Sequence, residues 1–294
     1  MATNKVSVII PTFKRNQPLH NAIACLCEQT YKNIEVIVVN DCSLPEWVEI
    51  VNNITSPFID KLDIKVIHNE SSLGSAGARD VAIANCSGEY VTFLDDDDLY
   101  LPEKIESQLE CMIKNAADFG VTDLEQYDEN GKFVEKRTRD YIKSTDNEQL
   151  LKYHYLYHIT CTNTIMFKKT YLDEIGGFKC ADMGDEFFLI EKAILGGGKF
   201  CYDNSCFVRT CVHSKLSGVS SGLSKINGEK KLFEHKKANF YRFTKKEIRS
   251  IRVRYKMVIA YAYFRMRKLF KMFGYMACAA FISPKATIRF LKSR

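Results

Sequence analysis

The chain has 294 residues, of which 46% are hydrophobic, and it carries a formal net charge of +6. The hydrophobic content is enough for a large core and excludes a mainly disordered chain, and the length suits one large domain or two closely joined ones. The eleven cysteines include no CxxC pair, which argues against a zinc site or a secreted disulfide framework and favours buried thiols in a reducing cytosol.

Strand-like and helix-like segments alternate over the first hundred residues. Short β-branched runs predict strands at residues 6–10, 34–39, 64–67 and 90–94. Apolar residues at helical spacing predict intervening helices at residues 19–27, 47–54 and 81–84. This alternation predicts α/β architecture with βαβ units and a Rossmann-like, mostly parallel central sheet flanked by helices.

The middle of the chain continues with mixed elements, and its end is helical. In order, we expect a helix at 105–112, a strand at 119–124, a hairpin turn at 128–131, a helix with a Thr145–Glu148 capping box, and a strand at 162–167. A further helix begins at Asp185 and ends at the glycines 196–198. Beyond Val212 the alternation stops, which predicts a C-terminal helical extension.

Four consecutive aspartates, Asp95 to Asp98, directly follow the apolar run 90–94. Carboxylates in such proximity repel one another unless a cation lies among them. A hard divalent cation with oxygen ligands, Mn²⁺ or Mg²⁺, is the simplest solution. Because open α/β sheets bind phosphate-bearing ligands beyond the carboxyl ends of their strands, this acidic block predicts metal and phosphate chemistry. The alternative is an acidic surface turn.

Three blocks of sequence, residues 6–13, 34–43 and 76–98, lie in the order and at the separations of the motifs of a known family. They resemble the first strand, the second strand with its Asp-Asp-Gly-Ser motif, and the Asp-x-Asp region of the inverting family-2 glycosyltransferases. The resemblance implies the glycosyltransferase A-type fold. There are two departures: Asn40-Asp41-Cys42-Ser43 replaces the usual Asp-Asp-Gly-Ser, and Lys14 replaces the usual Asn.

The resemblance also implies a division of the chain. Residues 1–102 would be the nucleotide-sugar-binding half of a catalytic domain. Residues 103–215 would be the acceptor-binding half of the same domain. Residues 216–294 would form the basic helical extension.

Donor-binding roles follow from the resemblance at the positions that match its motifs. Pro11 and Thr12 would shape the wall of the nucleotide pocket, and Asp41 would accept the ring N–H of uracil, which favours a UDP-sugar. Arg79 would offer its forked donors to the diphosphate. The structural alternatives are an N-cap by Asp41 for the helix at Pro45, and an ion pair between Arg79 and one of the aspartates.

Within the acidic block, the resemblance assigns Asp97 as the direct metal ligand. Asp95 would be the first carboxylate of Asp-x-Asp and would act directly or through a metal-bound water. Asp96 would bond ribose or sugar hydroxyls, and Asp98 would cap the following helix. His213, just past the last expected strand, would complete the metal site or touch the diphosphate, although a lone histidine is more often structural. The cation would offset charge on the departing nucleotide diphosphate.

Asp185 and Glu186 open a predicted helix, where the helix dipole alone would favour acidic residues. The pair resembles the later Glu-Asp motif of the family, with the two residues exchanged in order. That motif supplies the base that deprotonates the acceptor hydroxyl as it attacks the anomeric carbon. Glu186 takes the base position by alignment, and Asp185 is its main rival.

The C-terminal extension carries the positive charge, because Glu247 is the only acidic residue from Lys245 onward. Tyrosines and phenylalanines are interleaved with the cations, a pattern that predicts contact with an anionic membrane surface. The alternative is a helical cap packed on the main domain, and both can hold together. We expect no nucleic-acid partner, because no recognised module supports one.

Together these features predict a metal-dependent, inverting glycosyltransferase acting on a nucleotide-diphosphate sugar and a saccharide acceptor. A lipid-carried precursor of bacterial surface polysaccharide is the expected acceptor. With neither a secretory signal nor an apolar run of ~18 residues, we expect a cytoplasmic protein, peripheral on the inner face of the cell membrane. The alternatives are a nucleotidyltransferase that makes the sugar nucleotide, disfavoured because residues 11–15 lack a glycine-rich phosphate loop, and a non-catalytic membrane-associated binder.

Overall fold

The structure is a computed structural model of the chain, and it describes residues 4–178, 184–213 and 222–292. The described residues form two compact units. The larger unit contains residues 4–151, 159–178 and 185–212, and the smaller contains residues 152–158, 184, 213 and 222–292. The larger unit therefore includes segments from both halves expected for the catalytic domain.

The larger unit is built on two β-sheets. Its strands are β1 Val6–Thr12, β2 Ile34–Asn40, β3 Asp63–His68, β4 Tyr90–Phe93, β5 Leu99–Tyr100, β6 Phe119–Thr122, β7 Leu124–Asp128, β8 Phe133–Arg137, β9 Ile165–Lys168, β10 Phe200–Asp203 and β11 Val208–Val212. Seven of these described strands form a main sheet in the order β10-β6-β9-β4-β1-β2-β3, and four form a second sheet in the order β5-β11-β7-β8. In the main sheet β9 is antiparallel to both neighbours, and the remaining pairs are parallel. The expected Rossmann-like, mostly parallel sheet is confirmed.

Helices cover the main sheet, as the alternating pattern predicted. They are α1 Gln17–Cys27, α2 Pro45–Thr55, α3 Gly74–Asn85, α4 Lys104–Lys114, α6 Lys169–Glu174 and α7 Asp185–Leu195. A further helix, α5 Asn147–Tyr157, begins in the larger unit, and its residues from Lys152 onward belong to the smaller unit. In α1, the buried residues Leu19, Ile23 and Leu26 recur at helical spacing and join the core formed with β1 and β2. Burial of each such side chain stabilises the fold by ~1.5–3 kcal/mol.

The strand expected at residues 119–124 is divided in two, because Asp123 interrupts it. β6 ends in the main sheet just before Asp123, and β7 begins in the second sheet just after it. The Asp123 N–H donates to the Ser205 carbonyl, and the carboxylate accepts from the Arg139 N–H and the Tyr202 hydroxyl. These partners lie outside β6 and β7, so they fix the buried Asp123 where the chain passes between the sheets.

The start of α5 also differs from expectation. Instead of a Thr145–Glu148 capping box, Asp146 caps the helix, and its Oδ1 accepts from the N–H groups of Glu148 and Gln149, each at 3.1 Å. A short carboxylate placed before the first turn reaches these free N–H groups directly. The expected hairpin turn is confirmed by the antiparallel pairing of β7 with β8.

Glu35, at the amino-terminal edge of the main sheet, is a buried carboxylate with a full set of donors. It accepts from the Ser7 hydroxyl at 2.5 Å, from the N–H and hydroxyl of Ser87 at 2.5 and 2.7 Å, and from the Gly88 N–H at 2.9 Å. The Lys5 ammonium lies 3.2 Å away. Burial acts to raise the pKa of Glu35, but these donors outweigh it and lower the pKa to about 2. Glu35 therefore links β2 to β1 and to the residues before β4 through hydrogen bonds.

The smaller unit is helical, as expected for the C-terminal part of the chain. Its helices are α8 Gly222–Ala238, α9 Lys245–Arg265, α10 Leu269–Ile282 and α11 Pro284–Lys292. A capping box between Thr244 and Glu247 starts α9, which packs against the other three helices. In the described part of the chain, every helix is too short or too polar to cross a bilayer.

Candidate active site

The carboxyl ends of β1, β2 and β4 meet at one edge of the main sheet, because these strands are parallel neighbours. Thr12 at the end of β1 pairs with Asn40 at the end of β2. The turns that follow bring Arg15, Asp41 and the acidic block Asp95–Asp98 to this edge. Open α/β sheets bind their ligands here.

Asp96 is a buried carboxylate with few donors. Its Oδ2 accepts from the Thr12 hydroxyl at 2.7 Å, and its Oδ1 lies 3.8 Å from Nε of Arg15. Burial raises the pKa of Asp96 to about 7, with a further contribution from the charges of Asp97 and Asp95 that Thr12 and Arg15 offset only in part. The Thr12 hydroxyl thus holds the Asp96 carboxyl group in place. Because the pKa of Asp96 is raised, a further positive charge beside it would stabilise its ionised form.

Two arginines face the other carboxylates at this edge. Arg79 of α3 donates to Asp95 at 2.5 Å, and its guanidinium lies 5.3 Å from the centre of the Phe178 ring. Nη2 of Arg15 lies 3.3 Å from a carboxylate oxygen of Asp97. The ion pair considered as the alternative role of Arg79 is therefore present. The Nε atom of Arg79 is buried without a hydrogen-bond partner.

Asp98 does not cap the following helix, contrary to the sequence-based expectation, since α4 begins without a side-chain cap. Its carboxylate instead accepts from the Asn163 amide at 2.5 Å and from the Cys211 N–H at 2.8 Å. Asn163 lies in a 3₁₀ turn before β9, and Cys211 lies in β11. Burial, with the charges of its neighbours, raises the pKa of Asp98 well above its usual range. Asp98 ties the acidic block to both sheets.

Asp41 holds the loop before α3. Its Oδ1 accepts from the Asn69 amide and the Leu73 N–H, both at 2.8 Å, and its Oδ2 accepts from the Ser72 hydroxyl at 2.7 Å and the Gly74 N–H at 2.9 Å. Four donors match the lone-pair sites of a carboxylate. The alternative role as a cap of α2 is wrong, because α2 begins without a side-chain cap. To accept the ring N–H of a base, Asp41 would have to share or exchange a partner.

Asp185 and Glu186 form the first turn of α7. Asp185 is buried, whereas Glu186 is partly exposed. The pKa of the Cys161 thiol is raised to about 12 by burial and by the negative charges of Asp98, Asp95 and Glu186. Glu186 is the more exposed of the two carboxylates.

The donor set at this edge fits a hard divalent cation. Asp95 and Asp97 lie on one loop and are partly exposed, and their carboxylate oxygens suit Mn²⁺ or Mg²⁺. Among the residues that the structure describes, no three His, Cys, Asp or Glu side chains are grouped to hold a metal ion unaided. Two carboxylates completed by substrate phosphates and water are a usual Mg²⁺ arrangement. His213 follows β11 directly, and its carbonyl accepts from Arg265 at 2.6 Å.

Arg15 and Asn163 take part in the site, although their sequence patterns alone did not mark them as candidates. Arg15 lies three residues beyond the end of β1, and that position at a ligand-binding edge is a signal that could have identified it. Asn163 carries no comparable signal. Its bond to Asp98 depends on the placement of β9 beside β4, which is a long-range pairing.

Solved structures have a similar fold. S. aureus TarS 1-349 in complex with UDP-GlcNAc matches with a TM-score of 0.58 and 17% identity, covering 99% of this chain and 92% of that one. The mannosyltransferase PcManGT from Pyrobaculum calidifontis, in complex with GDP-Man and Mn2+, matches with a TM-score of 0.61 and 19% identity, covering 100% of this chain and 80% of that one. At these identities the likeness shows the fold, which is the glycosyltransferase A-type.

The sequence defines the family more closely. The model of Glycosyl transferase family 2 matches residues 7–176, and the chain belongs to this family. The UDP-Glc:alpha-D-GlcNAc-diphosphoundecaprenol beta-1,3-glucosyltransferase WfgD of Escherichia coli is 33% identical over 147 residues, which are 48% of this chain and 55% of WfgD. The matched segment covers 18% to 55% of the lengths of the first curated relatives.

Proposed function

We propose that the chain is an inverting glycosyltransferase that moves a sugar from a nucleotide-diphosphate donor to a hydroxyl group of a saccharide acceptor. One observation carries the proposal: in a family-2 chain, four carboxylates crowd the ligand edge of the main sheet and two arginines face them. Such an edge offers carboxylates for the cation and arginines for the oxygens of a cation-bound diphosphate. We take UDP as the nucleotide, supported by the UDP-Glc in the name of WfgD and the UDP-GlcNAc bound by TarS.

On the donor side, Asp95 and Asp97 would hold Mn²⁺ or Mg²⁺, and His213 stays a candidate ligand from its position in the sequence alone, just past β11. When bound, the cation supplies positive charge that offsets the negative charge of the departing nucleotide diphosphate. Arg15 and Arg79 already face these carboxylates, so their N–H donors lie close to where the phosphate oxygens would arrive. Forked guanidinium donors suit those oxygens. The chain would thus hold the diphosphate between acidic and basic groups.

On the nucleoside side, the proposal assigns roles to Pro11, Thr12, Asp41 and Asp96. Pro11 and Thr12 end a buried strand and would form the pocket wall. The hydrogen bond from Thr12 holds the Asp96 carboxyl group in place, where it would bond ribose or sugar hydroxyls. Asp41 would act on the base, directly or by fixing the loop at residues 69–74.

On the acceptor side, Glu186 is the proposed base and Asp185 its rival. The acceptor hydroxyl gives its proton to Glu186 while its oxygen bonds to the anomeric carbon, and the bond from that carbon to the diphosphate oxygen breaks. Attack from the side opposite the diphosphate inverts the configuration in one step. A positioned base contributes ~10²–10⁴-fold to the rate. The greater exposure of Glu186 supports its assignment.

We further propose that the acceptor is a lipid-linked saccharide in bacterial surface polysaccharide synthesis, met at the cytoplasmic face of the cell membrane. The name of WfgD specifies an acceptor linked to diphosphoundecaprenol, which supports a lipid carrier. The Bacillus subtilis relative TuaG, 31% identical over 133 residues, is described as a putative teichuronic acid biosynthesis glycosyltransferase.

A donor screen tests the proposed function. The purified chain would be incubated with UDP- and GDP-sugars and total membrane glycolipid, in Mn²⁺, Mg²⁺ or chelator, and release of nucleotide diphosphate would be measured. We expect UDP release that requires both glycolipid and divalent cation. In a parallel incubation with a nucleoside triphosphate and a sugar 1-phosphate, release of pyrophosphate would instead indicate a nucleotidyltransferase. Nucleotide binding without turnover for every donor would indicate a non-catalytic binder. Either result contradicts the proposal.

A further inference from the structure

Helix α10 of the smaller unit is apolar around its whole circumference, with Lys271 as its only charged residue. One side is accounted for by packing within the unit. Ala279 is buried in a cluster with Val253 and Met257 of α9, and Tyr275 packs on a second cluster. A helix that is apolar on every side is usually enclosed on every side, so the opposite side requires a partner.

The opposite side of α10 carries large aromatic residues in solvent. At about 100° per residue, Phe270, Phe273, Ala277 and Phe281 fall on the side away from Ala279. Phe270 is 97% exposed and Phe281 is 93% exposed, and Phe273 and Ala277 are exposed as well. Single exposed apolar residues are ordinary, but an aligned row of three phenylalanines marks an interaction surface. We call this row the α10 face.

Cations lie before, within and after the α10 face along the chain. The exposed basic residues next to it in sequence are Arg267, Lys268, Lys271, Lys285 and Arg289. In α11, Ile288 and Leu291 are also exposed, so cations and aliphatic side chains share that helix surface too. In the described part of α9, α10 and α11, Glu247 is the only acidic residue. Exposed apolar side chains flanked in sequence by exposed cations match the boundary between acyl chains and anionic headgroups.

We propose that the α10 face lies in the plane of an anionic lipid surface, with Phe270, Phe273 and Phe281 inserted below the headgroups and the neighbouring cations on the phosphates. α10 has 14 residues, which gives a length of ~21 Å. Because the hydrocarbon core is ~30 Å thick, the helix fits in the interface and does not span it. A second copy of this chain is the less suitable occupant, because it would bring like charges together around the same row.

The tail aromatics divide into two sets. Tyr255, Tyr263 and Tyr275 belong to or pack on a core cluster of the smaller unit. Phe270 and Phe281 remain in solvent. The tail therefore uses one set of aromatic residues for packing and another for the surface that we assign to lipid.

Vesicle co-sedimentation of the full chain tests this surface. The probes are vesicles of phosphatidylcholine alone and of phosphatidylcholine mixed with phosphatidylglycerol, at low and high salt. We expect binding to the anionic vesicles only, weakened by salt. The double variant Phe270→Ser/Phe281→Ser should bind at least about tenfold more weakly, because it removes two buried aromatic side chains from the complex. Lys268→Gln/Lys271→Gln should lose about fivefold per charge.

Tyr241→Ser is the matched control, since Tyr241 is 76% exposed and lies outside α10. It should bind vesicles as the parent chain does. Equal binding by the phenylalanine double variant, confirmed as folded by circular dichroism, would overturn the proposal. So would a dimer of the parent chain that this variant dissociates, as measured by sedimentation equilibrium, because a second copy would then cover the face. Neither measurement uses sugar transfer, so this proposal and the proposed function fail separately.

Discussion

The two edges of the main sheet both bury carboxylates, but they surround them differently. At the amino-terminal edge, Glu35 accepts hydrogen bonds from Ser7, Ser87 and Gly88 beside a lysine, and its pKa is lowered to about 2. At the carboxyl edge, Asp96 has one hydroxyl donor and a more distant guanidinium, and its pKa is raised to about 7. The first carboxylate is satisfied within the protein, and the second is short of positive charge.

This difference teaches that the supply of donors, more than position, separates a structural carboxylate from one available to a ligand. Asp41 lies at the carboxyl edge, yet its oxygens accept from four donors much as Glu35 does. Asp98 also accepts from two donors, but its deeper burial keeps its pKa raised. We therefore expect residues 95–97 to serve the ligand directly. We expect Asp41 and Asp98 to act first by positioning the loops around it.

The largest expected effect comes from Asp97→Ala. Losing a cation ligand should lower sugar transfer by ~10³–10⁴-fold, because the charge of the leaving diphosphate is no longer offset. Cation-dependent nucleotide binding should fall in parallel, and the melting temperature should stay equal or rise, since a crowded carboxylate has gone. Nucleotide diphosphate release and calorimetry measure these effects. Asp63→Ala, at the amino-terminal edge, is the control and should keep full activity. Full activity of Asp97→Ala would remove the metal assignment.

Next in size is the loss of the base. Glu186→Gln should lower transfer by ~10²–10⁴-fold while leaving donor binding nearly unchanged, because the amide cannot take the acceptor proton. Asp185→Asn provides the matched comparison and should have the smaller effect. Steady-state rates and isothermal titration with donor separate the two steps. If Asp185→Asn has the larger effect, the roles of the two residues are reversed.

Glu35→Gln should produce the opposite result to Asp97→Ala. An amide at this position points N–H groups at existing donors, so we expect the free energy of unfolding to fall by ~2–4 kcal/mol. Activity measured well below the melting temperature should be retained. Urea unfolding gives the first quantity and transfer assays the second. Glu70→Gln, an exposed control, should change neither. A Glu35→Gln variant that is stable but inactive would contradict the structural role that we assign to Glu35.

The stabilities of the parent chain and of Glu35→Gln should also depend differently on pH. The pKa of Glu35 in the folded chain, about 2, lies below its ordinary value of 4.5. The stability that it contributes is therefore complete above about pH 4.5 and is lost as the pH falls towards 2. The difference in unfolding free energy between the parent chain and Glu35→Gln should narrow across that window. A difference that stays constant down to pH 2 would contradict the assigned ionisation.

The smallest expected effect comes from Lys14→Asn, in the loop after β1. Lys14 has a φ of +54°, in the left-handed region that costs most L-residues ~1–2 kcal/mol and that Asn tolerates better. We expect the variant to gain ~0.5–1 kcal/mol in unfolding free energy. Thermal unfolding measures the gain, and Lys32→Asn, elsewhere on the surface, is the control. A loss of stability would show that the Lys14 side chain, which lies 5.4 Å from the centre of the Phe13 ring, contributes more than the strain.

The sequence predicted the parts of this architecture that depend on local pattern. The order of β1 to β4 and the position of residues 95–98 at a strand end follow from hydrophobic period and from strand termini. The second sheet was not predicted, because β5, β7 and β11 are brought together by pairings that are distant along the chain. The break at Asp123 and the partners of Asp98 were missed for the same reason. Both are buried carboxylates whose donors come from far away in sequence.

Under the proposed function, the hydrogen bonds that Asp98 accepts from Asn163 and Cys211 would affect how tightly a donor is held. Each residue that must become ordered on binding opposes association by ~1–2 kcal/mol of conformational entropy. A loop already fixed to two sheets avoids most of that penalty, so its preorganisation favours affinity without any extra contact. Related chains could then change donor preference by exchanging side chains on a fixed frame.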